Sequence, residues 1–286
     1  MKDSKQMTTP MAAHSILSKE QSPQTQAEAE AVQYLPYQAA VGALMFAMLG
    51  TRPDIAFAVT CLSQFSSNFG AAHWTAVKRV LRYLRGTLDY GISYQGRPSI
   101  PKADVNGVMV NLIGFCDADW GHNLDDRRSV TGYLFKLCEG AISWQAKKQP
   151  TVALSSVEAE YMAATQVTKE AIWWNNLLSG LALKVPKPIL IHSDSQGAIA
   201  LTKNPGSHSR TKHIAIQHHF VREQVEIDQV VFKWIPTEDM PADLLTKPLS
   251  PERHRHLLPM LGMARSSGSV EDNDRHHDPM NEVTYH

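Results

Sequence analysis

Asp117, Glu160, Asp194 and Asp243 lie in four different kinds of local sequence, and their types suit metal chemistry. Hard divalent cations take oxygen ligands, and carboxylates converging from separate elements can hold a pair of them for phosphodiester hydrolysis. Asp117 interrupts the apolar, strand-like run LIGFCDADWG. A charge there is costly unless it sits at a sheet end, is paired or binds metal. Asp119 points to the same face if the strand continues, and stands in reserve. In SSVEAEYMAA, Ser155 and Glu158 fit a capping box, which gives Glu158 a structural role. Glu160 has no such role; its plain reading is a surface acid favoured by the helix dipole. Asp194 ends a buried-looking strand in PILIHSDSQGAI, at the end where open α/β sheets place their sites. It competes for a second role as the cap of a helix beginning near Ser195. Asp243, in FKWIPTEDMPADLLTK, opens a short helix, where an acid is ordinary. Singly, each acid has a structural explanation. The ordered set from strand, helix, strand end and helix start does not.

The elements that must position these acids fall into two blocks. Residues 1–34 are rich in Ser, Thr, Gln, Ala and Glu and are expected to form a disordered leader or linker. Residues 35–92 read as helical. Val41, Leu44, Met45 and Met48 share a face of a helix that stops at Gly50. Thr51-Arg52-Pro53-Asp54 has the form of a second helix start with a Thr cap. A third helix carries Trp74, Val77, Leu81 and Leu84 on its apolar side, and Lys78, Arg82 and Arg85 recur on another, beside Arg79. That basic stripe is either a solvated face or a track for phosphates. Residues 93–107, with Gly96, Pro98, Pro101 and Gly107, read as an interdomain linker.

From 108 to 262 the pattern changes. Strands are predicted at 109–117, 130–138, 140–146, 188–194 and 229–235, and helices at 157–183, 196–203, 212–226, 241–247 and 251–261. Three strands followed by alternating helices and strands predict an α/β (α+β) domain, a mixed sheet with covering helices. Residues 263–286 are polar and are expected to be a disordered tail.

Composition narrows the function classes. The 286 residues suffice for one or two domains, and a net charge of zero announces no nucleic-acid partner globally. The three scattered cysteines argue against a disulfide framework and against a zinc site. His218 and His219 are adjacent and would not face together on a helix. The N-terminus has no apolar signal core, and no apolar run reaches the ~18 residues of a membrane span. An intracellular protein, cytoplasmic and/or nuclear, not secreted and with no membrane partner, is expected.

The motifs FCDADWG, SSVEAEYMA, HSDSQGAI and WIPTEDMPADLLTK, in this order, resemble the ribonuclease H domain of copia-type retrotransposon Pol polyproteins. Upstream, YQAAVGALMFAMLGTRPDIAFAV and HWTAVKRVLRYLRGT look like the thumb or connection region that follows the reverse-transcriptase palm, and RTKHIAIQHHFVRE matches a further family signature. The resemblance implies a five-stranded mixed sheet flanked by helices. It implies that Asp117, Glu160, Asp194 and Asp243 are catalytic and bind two Mg²⁺ ions, with Mn²⁺ as an alternative. Asp117 would bridge the ions, Asp243 would serve the attacking-water side, and Glu160 and Asp194 the leaving-group side. The implied reaction is endonucleolytic hydrolysis of the RNA strand of RNA–DNA hybrids, with the polymerase part of the same polyprotein as a further partner.

Two features depart from that pattern. No paired-Asp polymerase motif, protease or integrase is legible, so a complete reverse transcriptase is not expected. The loop Pro236–Met240 lacks the His that many cellular ribonucleases H carry before the last Asp, although Trp234 is present.

Hybrid binding calls for cations near the acids. Lys203, Arg210, Lys212 and Arg222 supply them in an acid-free stretch that also holds His208, His213, His218 and His219. With Lys78, Arg82 and Arg85 they are the candidate nucleic-acid-binding residues. The rival readings are a catalytically idle nucleic-acid-binding remnant and a transposase or integrase. The latter uses an Asp–Asp–Glu order, whereas Glu is second here.

Overall fold

The computed structural model describes residues 4–95, 108–203 and 212–266. Helices α1 (Gln26–Val32), α2 (Tyr37–Gly50), α3 (Ala56–Ser63) and α4 (Ala71–Arg85) lead to a short strand, β1 (Tyr90–Ile92). Next come β2 (Val108–Met109), β3 (Leu112–Ala118), β4 (Val130–Leu137) and β5 (Gly140–Lys148). The long helix α5 (Ser156–Gly180) is followed by β6 (Leu183–Lys184), β7 (Ile189–Ser193), α6 (Gln196–Lys203), α7 (Lys212–Glu226) and β8 (Val230–Trp234). A 3-10 turn at Pro241–Leu245, α8 (Pro251–Leu257) and β9 (Met263–Arg265) complete the order.

The main sheet runs β5-β4-β3-β7-β8. β3 pairs antiparallel with β4, and β4 with β5, as short connections allow. β7 lies parallel to both β3 and β8, which requires helical crossovers, supplied by α5 before β7 and by α6 and α7 between β7 and β8. The carboxyl ends of β3 and β7 are therefore adjacent. One face of the sheet is covered by α5, whose Ala159, Ala163, Val167 and Ala171 are fully buried against Cys116, Phe135 and Ile191. Small residues at helical spacing let this helix approach the sheet closely.

The opposite face is covered by the Pro241–Leu245 turn and α8, through Leu244, Leu245 and Leu257 against Leu134 and Ala141. Ala56 of α3 joins that core, and Val130 of β4 joins the core of the helical block. The Trp144 indole donates to the Met48 carbonyl at 3.0 Å, and the Thr60 hydroxyl to that of Ala146 at 2.9 Å. The helical block thus packs directly on the sheet.

Several expectations need correction. The leader is not disordered over residues 4–34. Met11 and Thr9 are buried, and Ser22 donates to the Asn68 carbonyl at 2.8 Å. The buried His73 ring accepts from the Gly70 N–H and lies 3.1 Å from the Ser18 carbonyl. The leader's apolar residues Met7, Met11 and Leu17 pack against the helical core without regular spacing, so periodicity misses them.

The tail does not begin at 263: Met263–Arg265 pairs antiparallel with Tyr90–Ile92. Residues 267–286, and the 96–107 part of the expected linker, lie outside the described residues. Ser93 and Gln95 still bond to the Gly262 and Cys138 carbonyls. Thr51 ends α2 instead of capping α3, and Met45 is exposed while Val41 and Leu44 are buried. Among the described residues no single helix is long and apolar enough to cross a membrane, although the bent α1–α2 pair passes by composition.

Candidate active site

Asp117 is the penultimate residue of β3 and is 1% exposed. Asp194 follows β7, the parallel neighbour, so the topology brings it beside Asp117. Glu160 lies in the first turns of α5, which crosses the same sheet end. One carboxylate oxygen from each of these residues lies within 4.8 Å of the others. The three come from positions 117, 160 and 194, and only the strand order and the seat of α5 unite them.

Local hydrogen bonds decide which acids are available. The Ser155 hydroxyl accepts from the Glu158 N–H at 3.1 Å, and Glu158 in turn accepts from the Leu154 N–H at 2.9 Å. That cap, displaced by one residue from the expected box, occupies Glu158. Glu160, beside the fully buried Ala159, turns inward. At α6 the capping oxygen is that of Ser195, which accepts from the Ala198 N–H at 3.2 Å, so Asp194 is not spent on capping. Instead Asp194 Oδ2 accepts from the Thr237 hydroxyl at 2.7 Å, and its carbonyl from the Trp234 indole at 3.2 Å. Asp119 accepts from the Val130 N–H, tying the end of β3 to the start of β4. Burial, with Asp117 adding to it against that hydrogen bond, lifts the Asp119 carboxyl to about 7.

Asp243 is fully buried in the Pro241–Leu245 turn but stands outside the close trio. Both of its oxygens meet cations: Oδ1 lies 2.8 Å from Lys247 Nζ, and Oδ2 pairs with Arg253. Lys247 also reaches Asp117 Oδ2 at 3.4 Å, and the Thr246 hydroxyl donates to that same oxygen. The structure therefore brings three expected ligands together and links the fourth to them through an ammonium group. Thr237, Thr246, Lys247 and Arg253 were missed from sequence. The i, i+4 spacing of Asp243 and Lys247 was the one available signal, and it reads as an ordinary helical ion pair.

The charges explain why the trio fits a cation. Burial, then the charges of Asp117 and Asp194, push the Glu160 carboxyl far above the ordinary range, and Lys247 and an Ala118 backbone hydrogen bond offset this only in part. Asp194 is raised by burial and then by Asp117. Asp243 is raised by burial and Asp117 against Lys247 and Arg253. Burial lowers the Lys247 ammonium, but Asp117 and Asp243 outweigh it and raise the net value. Two ionised oxygens at 4.8 Å repel by about 3 kcal/mol at an effective dielectric near ~20. Glu160 Oε2 is buried with no hydrogen-bond partner among the described residues. An acceptor without a donor, among like charges, is what a bound cation satisfies.

The expected nucleic-acid residues divide. Lys203 is exposed at the end of α6. Arg210 and the side chain of Lys212 lie outside the described residues. Arg222 hydrogen-bonds Tyr161 and so joins α7 to α5. On α4, Lys78 is exposed, Arg82 is half-buried and Arg85 bonds to Ser4, while Arg79 donates to the Thr9 hydroxyl at 2.9 Å. The Met7 N–H also bonds the Arg82 carbonyl. The stripe is therefore partly covered by the N-terminal segment, because that segment is ordered against α4.

A mixed sheet of this order, with carboxylates at the ends of two adjacent strands and at the start of the covering helix, defines a ribonuclease H-like fold. The comparisons place the chain more narrowly. The retrovirus-related Pol polyprotein from transposon TNT 1-94 of Nicotiana tabacum is 44% identical over 263 residues, covering 92% of this chain and 19% of that protein. That from transposon RE1 of Arabidopsis thaliana is 38% identical over 261 residues, covering 91% of this chain and 17% of that protein. The chain belongs to this family of copia-type transposon Pol polyproteins, and it spans less than a fifth of their length.

A secreted RxLR effector protein, 161, of Plasmopara viticola is 50% identical over 139 residues, 49% of this chain and 91% of that protein. Among solved structures, LC11-RNase H1 in complex with an RNA/DNA hybrid is 14% identical at a TM-score of 0.37, covering 48% of this chain and 94% of that one. No protein-family model matches the chain.

Proposed function

We propose that this chain is the ribonuclease H module of a copia-type Pol polyprotein and cuts the RNA strand of RNA–DNA hybrids endonucleolytically. The observation that carries the reading is the convergence of Asp117, Glu160 and Asp194, each offering an oxygen within 4.8 Å of the others, around a buried acceptor that lacks a donor. Those three residues, with Asp243 through its neighbour Asp117, would hold the divalent cations. An all-oxygen site suits Mg²⁺, and Mn²⁺ would serve as a substitute. Bound there, divalent ions supply the charge that activates a water and stabilises the leaving 3′-oxygen.

The protein's own residues set the geometry. Thr246 and Lys247 orient the Asp117 carboxylate, and Thr237 and Trp234 hold Asp194. The raised Glu160 and Asp194 carboxyls bind ions best once deprotonated, so metal affinity should climb with pH. RNA is told from DNA by its 2′-hydroxyls, and sequence preference is weak because hybrids are read by shape and backbone. Among the described residues, Lys203 and Lys78 are exposed cations that phosphates could meet. The polymerase part of the polyprotein is the natural partner for presenting the hybrid.

The test uses the purified chain, Mg²⁺ and a hybrid labelled on the RNA strand. Wild type should cut it, and Asp194→Asn, folded by circular dichroism, should not. Equal cleavage by both proteins would remove the assignment. A second reading, an idle hybrid-binding remnant, is favoured by the Lys247 and Arg253 pairs on Asp243. Hybrid binding without metal-dependent cutting would select it.

A further inference from the structure

The two edges of the carboxylate site differ. At one edge neither Glu160 nor Asp194 forms a salt bridge among the described residues. At the other edge Asp117 and Asp243 are bridged by Lys247 Nζ, 3.4 Å from one and 2.8 Å from the other. Of the two acids Arg253 meets only Asp243, on the far oxygen, and it also donates to the Thr237 carbonyl at 2.6 Å. Two carboxylates and two cations make that edge neutral without any ion. The ammonium group thus stands between the two acids, where a second divalent ion would have to bind for Asp243 to be one of its ligands.

We propose that Lys247 is a tethered cation occupying the Asp117–Asp243 edge, which a second divalent ion can take only after Lys247 has left. This rests on the reading above that the site takes divalent ions. The side chain can leave: it is 34% exposed, and its four-carbon stem is flexible. Asp117, Glu160 and Asp194 would hold a first ion with Lys247 in place, and their mutual repulsion would be relieved there. A second ion would have to displace an ammonium that already pairs with both acids, at 3.4 Å from Asp117 and 2.8 Å from Asp243. Binding is therefore ordered and unequal, and Lys247 acts as a positioning residue that sets the second affinity.

Calorimetric titration of the full chain with Mn²⁺ reads the two steps without any substrate. Wild type should show a tight and a weak step, and Lys247→Met should tighten the weak one by about tenfold or more. Lys247→Arg, which keeps the charge, should retain the weak step. Lys247 can also be followed in the wild-type protein by acylation with an activated ester and mass spectrometry. Its labelling should stay low through the first step and rise over the second, a readout that stands if Lys247→Met fails to fold. An unmoved second step in folded Lys247→Met, or labelling flat through saturation of both steps, would overturn the proposal while leaving the nuclease reading intact. Wild-type protein that binds no Mn²⁺ would overturn both.

Discussion

Arg52 and Asp54 form a bidentate ion pair inside the protein, Nε to Oδ1 at 2.9 Å and Nη2 to Oδ2 at 2.8 Å. The Tyr83 hydroxyl donates to the same Oδ2 at 2.5 Å, and Arg52 also donates to the Thr87 hydroxyl and carbonyl. The pair therefore joins the turn before α3 to the end of α4. His254 of α8 packs edge-on against the Tyr83 ring, with centroids 5.4 Å apart. Because α8 also carries Arg253, this network in the helical block helps to seat the guanidinium that engages Asp243.

Removing one partner of a buried pair strands the other charge. Asp54→Ala should cost about 3–5 kcal/mol of stability in urea unfolding. A loss below about 1 kcal/mol would mean that Arg52 finds another partner or solvent.

Without metal the folded site pushes Glu160 towards its neutral form, so above its ordinary range its ionisation in the unfolded chain opposes folding. In chelator at pH 8, Glu160→Gln should be more stable than wild type by roughly 1 kcal/mol or more. The sign follows from the raised folded-state value: the wild-type contribution is fully present below the unfolded value near ~4.5 and is lost as pH rises towards the folded one. The variant's advantage should therefore shrink at pH 4.5, while its Mg²⁺ affinity falls at every pH. Equal melting temperatures in chelator, with ion binding intact, would contradict the account.

His254 behaves in the opposite sense. Burial, opposed by the nearby Asp54 and reinforced by Arg52, depresses its ring to about 4 from 6.5. Its neutral form favours the fold, so its contribution is fully present above pH 6.5 and is lost as pH falls towards 4. Denaturation curves between pH 7.5 and 4 should show wild type losing up to about 3 kcal/mol relative to His254→Gln. A difference that does not change with pH would show that the ring is not held neutral.

Gly132 lies opposite Asp117 in the β3–β4 register. A Cβ there would stand 2.6 Å from Thr246 Cγ2, 2.8 Å from Leu245 Cβ and 3.1 Å from the Ala242 carbonyl. Gly132→Ala should push back the turn that carries Asp243 and Thr246. Stability should fall by about 1–3 kcal/mol, and hybrid cleavage by ten- to a hundredfold. Full activity in the folded variant would show that the seat of this turn does not matter.

Much of the framework was legible along the chain. The strands expected at 109–117, 130–138 and 140–146 fall on β3, β4 and β5 within about three residues, and the cap at Ser155 and Glu158 and the ends of α6 and α7 likewise follow from period, capping and turn chemistry, which act over a few residues. The four acids were singled out only as an ordered set, since each alone has a local explanation, and the structure brings Asp117, Glu160 and Asp194 of that set together. The ordered residues 4–34 were not legible, since Met7, Met11 and Leu17 have no period and gain their partners only from α4 and its neighbours. Nor was the β1–β9 pair, two three-residue strands far apart in sequence.

By itself, then, the sequence determined most of the elements and offered four acids as candidates, because local patterning and residue type are readable one segment at a time. Only the tertiary structure decided that Asp117, Glu160 and Asp194 meet while Asp243 is held by Lys247 and Arg253. Which cation faces which carboxylate depends on the close approach of β3, α5, β7 and the Pro241–Leu245 turn. Coulomb energy follows distances in space, and spacing along the chain does not contain them.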